Sequence, residues 1–281
     1  MHPMPFSYHK AESIDDALRL LGEFDGDGKI LSGGQSLLPV MKLRLASPAH
    51  LVDISGLPGL SGVSHDGDTI VLGALTTHAD LAVADIPLLS EIAHVVGDLQ
   101  VRNLGTIGGA IAHADPAADY PAGVLALDVE IVAQGPNGTR TLPIADFFHG
   151  FMTTALEPNE ILTQIRIPAL PADTGVSYQK LANPASGYAT AGVAAVVTRA
   201  TDGSISEIRI AITGASELAY RATDIEDALR GTTPDEAAVK AAAASAVSGR
   251  DLLSDAQASA DYRAKVVPNL VRRAILTALQ S

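Results

Sequence analysis

Two glycine-rich stretches about 70 residues apart decide how this chain folds: GGQSLLPVMKLR at residues 33–44 and TIGGAIAHADPAADYPA at residues 106–122. Each pairs adjacent glycines with a hydroxyl residue, Ser36 in the first and Thr106 in the second. Consecutive backbone N–H groups in such turns form concave nests for anions, and glycine lets a ligand approach the main chain. Either stretch alone is more typical of a tight turn. The pair predicts two nests that hold one extended, phosphate-bearing ligand.

The composition limits the class of protein. The 281 residues suit two domains or one large one, and a hydrophobic content of 47% is typical of a folded chain. No apolar run approaches the ~20 residues that span a bilayer, and the first residues lack a signal-peptide pattern. We therefore expect a cytoplasmic protein. The alternative is a protein that associates peripherally with the inner face of the membrane. A net charge of −13 without a Lys/Arg cluster argues against nucleic-acid binding.

The chain contains no cysteine, so it can form no disulfide and can supply no thiolate to an iron–sulfur cluster. Its eight histidines form neither an HxH nor an HxxxH pair, so we expect them on the surface and assign no metal. The GxGxxG and P-loop fingerprints of nucleotide-binding proteins are also missing. Because no acid–base or nucleophile–base pair stands out, we assign no catalytic residue.

Residue patterns in the first part predict alternating strands and helices. Ser13 is typical of a helix N-cap, followed by two aspartates and ended by Gly22, and Thr77 is typical of a second N-cap. The predicted strands cover residues 29–32, 51–54, 69–72, 129–134, 140–142 and 161–167, and the predicted helices cover residues 14–21, 79–84 and 87–97.

The second part follows a Pro-, Asp- and Gly-rich linker at residues 169–175. Two strands, 189–198 and 205–213, form a hairpin, and three helices follow, at 225–230, from Thr233 through the alanine tract to residue 246, and at 266–279. Thr233 begins a predicted capping box, Thr-Pro-Asp-Glu. We expect one domain at residues 1–174 and an α+β domain at 175–281 with an antiparallel sheet and three helices.

Both glycine stretches, with QVRN before the second, resemble the FAD-binding subunit of the molybdenum hydroxylases, the xanthine dehydrogenase and aerobic carbon monoxide dehydrogenase family. The chain is especially similar to the separate medium subunit of three-chain enzymes. The segments FFHG, NEILTQIRIP and YQKLANPASGYATAG, at 147–150, 159–168 and 178–192, fit in the expected order. The resemblance implies an α+β fold: a two-lobed FAD-binding domain of the PCMH or vanillyl-alcohol-oxidase type, followed by a smaller α+β domain with an antiparallel sheet and a helical bundle.

The resemblance implies FAD between the two lobes, with the second domain shielding part of the flavin. The diphosphate lies along residues 31–38, residues 106–109 form a second cradle, and Asp119 binds a polar group. Leu162 lies beside the adenine and Lys180 near the polar edge of the cofactor. The cofactor contacts that we expect are Leu31, Ser32, Gly33, Gly34, Gln35, Ser36, Leu37, Leu38, Arg102, Thr106, Ile107, Gly108, Gly109, Ala112, Asp115, Asp119, Leu162, Lys180 and Tyr188.

Several of these residues have ordinary structural readings. Asp115 and Asp119 are also typical of turn and cap positions, Leu162 of an inward strand position, and Lys180 of a solvated lysine. Tyr188 could stack on the isoalloxazine ring or pack at a domain interface, and Arg102 could brace the second stretch or touch phosphate.

Two positions depart from the family pattern. Many relatives have His in place of Gln35, and some have Asp or Asn in place of Ala110. The cradle should survive both differences, because Gln still donates and accepts hydrogen bonds, although contacts near the flavin differ.

The resemblance implies an electron-transfer subunit and not a complete enzyme. Molybdenum cofactor lies on a large partner and [2Fe-2S] clusters on a small partner, in a dimer of heterotrimers, and FAD passes electrons to a quinone, NAD or oxygen. Carbon monoxide is the first choice of substrate, with N-heterocycles, aldehydes and purines as others. A self-contained FAD oxidase and a non-catalytic flavin-binding scaffold or sensor are the alternatives. We expect Gly34→Val or Gly108→Val to empty the flavin site while the fold persists.

Overall fold

The computed structural model describes residues 2–281. Its first lobe is a three-stranded parallel sheet in the order β1-β3-β2. The elements are β1 (Ser7–Lys10), α1 (Ile14–Glu23), β2 (Gly28–Leu31), α2 (Leu37–Lys42) and β3 (His50–Asp53). The Ser13 side chain accepts a hydrogen bond from Asp16 N at 3.0 Å and so caps α1 as predicted. Helix α1 buries Ala17, Leu20 and Leu21 against this sheet.

The second lobe is an antiparallel sheet with the strand order β4-β5-β10-β6-β7. Its strands are β4 (Val63–Asp66), β5 (Thr69–Gly73), β6 (Glu130–Gly135), β7 (Gly138–Pro143) and β10 (Ile161–Ile167), with a small ladder of β8 (Phe148–Gly150) and β9 (Thr153–Thr154) beside it. Five helices fill the connection from β5 to β6: α3 (His78–Ala82), α4 (Leu89–Val95), α5 (Leu99–Leu104), α6 (Ile107–His113) and α7 (Tyr120–Leu127).

The C-terminal domain is a four-stranded antiparallel sheet covered on one face by three helices. Its elements are β11 (Thr174–Ala182), β12 (Ala189–Arg199), β13 (Ile205–Thr213), β14 (Tyr220–Arg221), α8 (Thr223–Leu229), α9 (Glu236–Ala243) and α10 (Ala260–Gln280). Each helix between residues 2 and 281 is too short or too polar to span a lipid bilayer.

Helix α7 joins the two domains. Every one of its residues is buried, because it packs on α4 and α6 of the second lobe and on the outer face of the C-terminal sheet. On that sheet face Ala194, Val196 and Ala211 share a core cluster with Val124 and Leu125 of α7. Because both sides of the helix are covered, the sequence YPAGVLAL shows no alternation of apolar and polar faces.

Several sequence predictions match the structure closely. The predicted strands at 161–167 and 205–213 coincide with β10 and β13. We still propose a domain boundary after residue 174. Strand β11 begins at Thr174, next to that boundary.

Other predictions need correction. Strand β11 and helices α5 and α6 were not predicted. The capping box at Thr233 is wrong, because Asp235 is the N-cap and its side chain accepts from Ala238 N at 2.7 Å. The alanine tract is helical only to Ala243, and α10 begins at Ala260, before the predicted start, because Ser259 caps it.

Gly108 has a packing role, which corrects the expectation that a side chain there would meet the ligand. A Cβ at Gly108 would lie 2.5 Å from Ala74 Cβ and 2.6 Å from Ala74 O. These atoms belong to the segment after β5, so a larger residue pushes α6 away from the sheet. The expectation that Gly108→Val leaves the fold intact is therefore wrong.

We expect Gly108→Ala to lower the free energy of unfolding by about 1–3 kcal/mol, the usual cost of overpacking. The matched control is Gly22→Ala in α1, where a Cβ meets nothing within 4 Å and helix propensity favours alanine by about 0.5–1 kcal/mol. Urea unfolding of the FAD-free chain, followed by circular dichroism, measures both. Equal stability of the two variants would contradict the packing role.

Candidate functional site

The first glycine stretch leaves a row of backbone donors free. Strand β2 ends at Leu31, and Gly34 adopts a left-handed conformation with a φ of +69°. Within residues 2–281, no protein acceptor pairs with the N–H groups of Gly33, Gly34, Gln35 or Ser36. Successive free N–H groups around a left-handed residue form an anion nest. The first stretch therefore has the backbone geometry that the predicted nest requires.

The second glycine stretch is not a nest, which corrects the sequence prediction. Residues 107–113 form helix α6, and its first donors bond to the protein. Ile107 N donates to Thr76 O at 3.0 Å, and Gly108 N donates to Ala74 O at 2.9 Å. Gly109 N donates to Thr106 Oγ1 at 3.2 Å. These hydrogen bonds fix the start of α6 to the segment that follows β5.

Gly33 of the first stretch packs against the backbone just before the second stretch. A Cβ on Gly33 would lie 2.0 Å from Leu104 O and 2.8 Å from Gly105 Cα, so only glycine fits there. Thr106 Oγ1 donates to Ser32 Oγ at 3.2 Å across the same junction. This contact holds the first loop in place without using its N–H groups.

A cleft with a free volume of about 120 Å³ opens beside this junction. It is lined by Gln35, Ser36, His78, Val96, Gly97, Val101, Ala110, His113, Asp115, Ala118, Asp119, Tyr120, Ser186, Gly187 and Tyr188. Five of the sequence-predicted residues lie in this lining: Gln35, Ser36, Asp115, Asp119 and Tyr188. The other predicted residues lie outside it: Leu31, Ser32, Gly33, Gly34, Leu37, Leu38, Arg102, Thr106, Ile107, Gly108, Gly109, Ala112, Leu162 and Lys180.

A buried ion pair borders the cleft at Asp119. Lys180 Nζ lies 2.8 Å from Asp119 Oδ2, and the two side chains are 6% and 5% exposed. Tyr178 OH donates to Asp119 Oδ1 at 2.6 Å, and Lys180 also donates to Val95 O at 2.9 Å. Burial raises the pKa of Asp119, and the attraction of Lys180 opposes that rise. Removing one member of such a pair typically costs about 3–5 kcal/mol.

This ion pair settles two of the alternatives that the sequence left open. Lys180 is not a solvated lysine, and the Asp119 side chain makes no capping bond to α7. Strand β11 of the C-terminal domain supplies Lys180 and Tyr178, so that domain positions Asp119 at the cleft. A contact of Lys180 with a ligand would run through Asp119.

The remaining predicted residues have clear local roles. Asp115 Oδ1 accepts from Ala117 N at 2.8 Å, which is the turn role considered for it. Arg102 Nη1 donates to Val96 O and Gly97 O at 3.1 and 3.2 Å and braces the backbone of the cleft wall. Leu162 is buried in the main core, as its strand pattern indicates.

Tyr188 reaches the cleft from the loop between β11 and β12. The residue is 37% exposed, and the preceding Gly187 has a φ of +72° and lies close to Gly97. Burial and the charge of Asp115 raise the pKa of the Tyr188 hydroxyl. Tyr188 lines the cleft, and an aromatic ring in such a position can stack on a flat ligand.

His78 is a cleft residue that the sequence prediction missed. It is 4% exposed, and its Nδ1 lies 3.1 Å from the hydroxyl of Tyr120. Burial, with a smaller effect of Arg102, lowers the pKa of His78 to about 4. The expectation that the histidines lie on the surface is wrong here. No spacing in the sequence reveals the pair, because its members are 42 residues apart and meet through packing.

Comparison with known proteins assigns the family of this fold and site. Residues 4–170 match the model of the FAD binding domain in molybdopterin dehydrogenase, and residues 176–278 match that of the CO dehydrogenase flavoprotein C-terminal domain. The chain belongs to this flavoprotein family. The predicted resemblance and fold class are thereby confirmed.

Individual relatives extend over the whole chain. The carbon monoxide dehydrogenase medium chain of Hydrogenophaga pseudoflava is 43% identical over 98% of this chain and 97% of its own length. Subunit alpha of the 6-hydroxypseudooxynicotine dehydrogenase complex of Paenarthrobacter nicotinovorans is 37% identical over 99% of this chain and 96% of its own length. A solved carbon monoxide dehydrogenase of H. pseudoflava, lacking the Mo-pyranopterin moiety, superposes with a TM-score of 0.96 at 44% identity, covering 100% of this chain and 99% of that one.

Proposed function

We propose that this chain is the FAD-carrying electron-transfer subunit of a multi-subunit molybdenum hydroxylase of the carbon monoxide dehydrogenase type. The observation that supports it most directly is the row of free N–H groups from Gly33 to Ser36 at the edge of the cleft. In a chain with a net charge of −13, a diphosphate needs such neutral donors, because the surrounding field repels it.

The other residues of the site fit the rest of FAD. The carboxylate of Asp119 retains lone pairs that can accept hydrogen bonds from hydroxyl groups of the cofactor. Tyr188 lines the same cleft, where its ring can cover a ring of the cofactor. Ser32 and Thr106 present their hydroxyls at the junction beside the nest. When bound, FAD supplies electron exchange in single or paired steps, and the protein supplies its position and electrostatic surroundings.

Two of its relatives are named carbon monoxide dehydrogenase medium chains, and this chain has no cysteine to bind iron–sulfur clusters. We therefore propose that electrons reach it from a small iron–sulfur subunit and that substrate is oxidised on a large molybdenum-cofactor subunit. We propose a cytoplasmic dimer of heterotrimers that passes electrons to a quinone or NAD. The names of its relatives specify different reactions, on carbon monoxide and on 6-hydroxypseudooxynicotine. The partner therefore selects the substrate, and carbon monoxide is our first choice.

We expect Gly109→Ala to weaken FAD binding by about tenfold or more. A Cβ there would lie 2.8 Å from Ser32 Oγ and 2.9 Å from Thr106 Oγ1, so it pushes apart the hydroxyl pair that holds the first loop. Fluorescence titration of the FAD-free chain measures the dissociation constant. Gly22→Ala, remote from the cleft, is the control and should bind like wild type. Equal FAD affinities of wild type, Gly109→Ala and Gly22→Ala would show that the junction does not contribute to FAD binding.

Purification from the native source tests the subunit assignment. We expect a yellow protein that elutes with a large chain and a cysteine-rich small chain, and that oxidises no substrate when isolated from them. A yellow chain that oxidises a substrate unaided would support a self-contained oxidase. A yellow chain without partners or turnover would support a flavin-binding scaffold or sensor, and a colourless chain would contradict all three.

A further inference from the structure

The pair of His78 and Tyr120 has a defined proton arrangement. The Tyr120 hydroxyl is buried, and among residues 2–281 its one hydrogen-bond partner is His78 Nδ1. If Nδ1 carried the proton and donated it, the hydroxyl hydrogen would be buried without an acceptor, which is unfavourable. Tyr120 therefore donates to Nδ1, and the single proton of the neutral ring lies on Nε2.

The charge states support this arrangement. Burial and the nearby Asp119 raise the pKa of Tyr120 well above its usual value, so the phenol keeps its proton. Burial and Arg102 lower the pKa of His78 to about 4, so the imidazole is neutral at pH 7. A neutral ring with an accepting Nδ1 presents one donor, Nε2–H.

That donor is accessible in a residue that lines the cleft. His78 lines the cleft, and its Nε2 has no hydrogen-bond partner within the described chain. Because every fully buried side-chain polar atom of residues 2–281 has a partner, Nε2 must be accessible. A Cβ on Gly105 would lie 2.7 Å from Nε2, so this glycine leaves the ring room beside the junction.

We propose that His78 contacts the cofactor directly, donating a hydrogen bond from Nε2 to a carbonyl oxygen or ring nitrogen of one of its ring systems. This inference rests on the proposed FAD site. The nest at Gly33 to Ser36 already accommodates the phosphate groups, which leaves this donor for an acceptor atom of a ring. The walls near it, Val96, Val101 and Ala110, are apolar and suit a flat ring.

The proton arrangement can be tested without FAD. Long-range ¹H–¹⁵N correlation spectra of the histidine-labelled, FAD-free chain at pH 7 should show His78 as the neutral tautomer with its proton on Nε2. Tyr120→Phe removes the donor to Nδ1, so this preference should weaken. A charged His78, or a proton on Nδ1 in the wild-type chain, would overturn the inference.

The contact itself is tested by FAD affinity and the midpoint potential of the bound flavin. We expect His78→Leu to weaken FAD binding about fivefold to tenfold, the effect of one lost hydrogen bond. His78→Gln, which keeps an N–H donor at similar reach, should recover most of that affinity. The control is His65→Leu on the exposed strand β4, which should match wild type.

The outcomes separate this inference from the function on which it rests. If His78→Leu weakens the binding of oxidised and reduced FAD by different factors, the midpoint potential shifts and the contact lies on the flavin ring. If it weakens both by the same factor, the contact lies on the adenine. If His78→Leu does not fold, Tyr120→Phe should show a smaller loss in the same direction. If His78→Leu leaves FAD affinity unchanged, the inference is wrong, although the proposed function still stands. Tyr120→Phe takes the place of His78→Leu in this test if that variant does not fold. A wild-type chain that binds no FAD contradicts the proposed function.

Discussion

The contact between Gly33 and the backbone of Leu104 and Gly105 is the constraint on which the site depends. A loop of free N–H groups tends to collapse onto neighbouring acceptors, because unpaired backbone donors are costly when buried. Here the loop is held by close packing of main chain on main chain and by the hydroxyl pair of Ser32 and Thr106. Its donors at Gly33 to Ser36 consequently stay available to a ligand.

The second domain contributes to the site through one strand and one loop. Strand β11 carries the Lys180 and Tyr178 groups that fix Asp119, and the loop after it carries Tyr188 to the opposite side of the cleft. Helix α7, buried between the two domains, begins directly after Asp119. A change in the packing of the C-terminal sheet would therefore reach the cleft through Asp119.

Much of the fold was predictable because it depends on local pattern. The hairpin of β12 and β13 and the strand β10 follow from alternation and turn residues, and Ser13 and Thr77 cap their helices as predicted. The mistakes lie where tertiary contacts decide. The pairing of Ile107 and Gly108 with the segment after β5 turns an apparent nest into a helix, and the partner of His78 is remote in sequence. Resemblance to a family supplied FAD itself, which composition and spacing could not.

A crystal structure of the chain with FAD bound would show which backbone groups bind the diphosphate. We expect diphosphate oxygens about 3 Å from the N–H groups of Gly33 to Ser36, with a ring of the cofactor in the cleft. Ile107 N and Gly108 N should keep their bonds to Thr76 and Ala74. A diphosphate bound elsewhere, or one that takes up the donors of Ile107 and Gly108 instead, would contradict it.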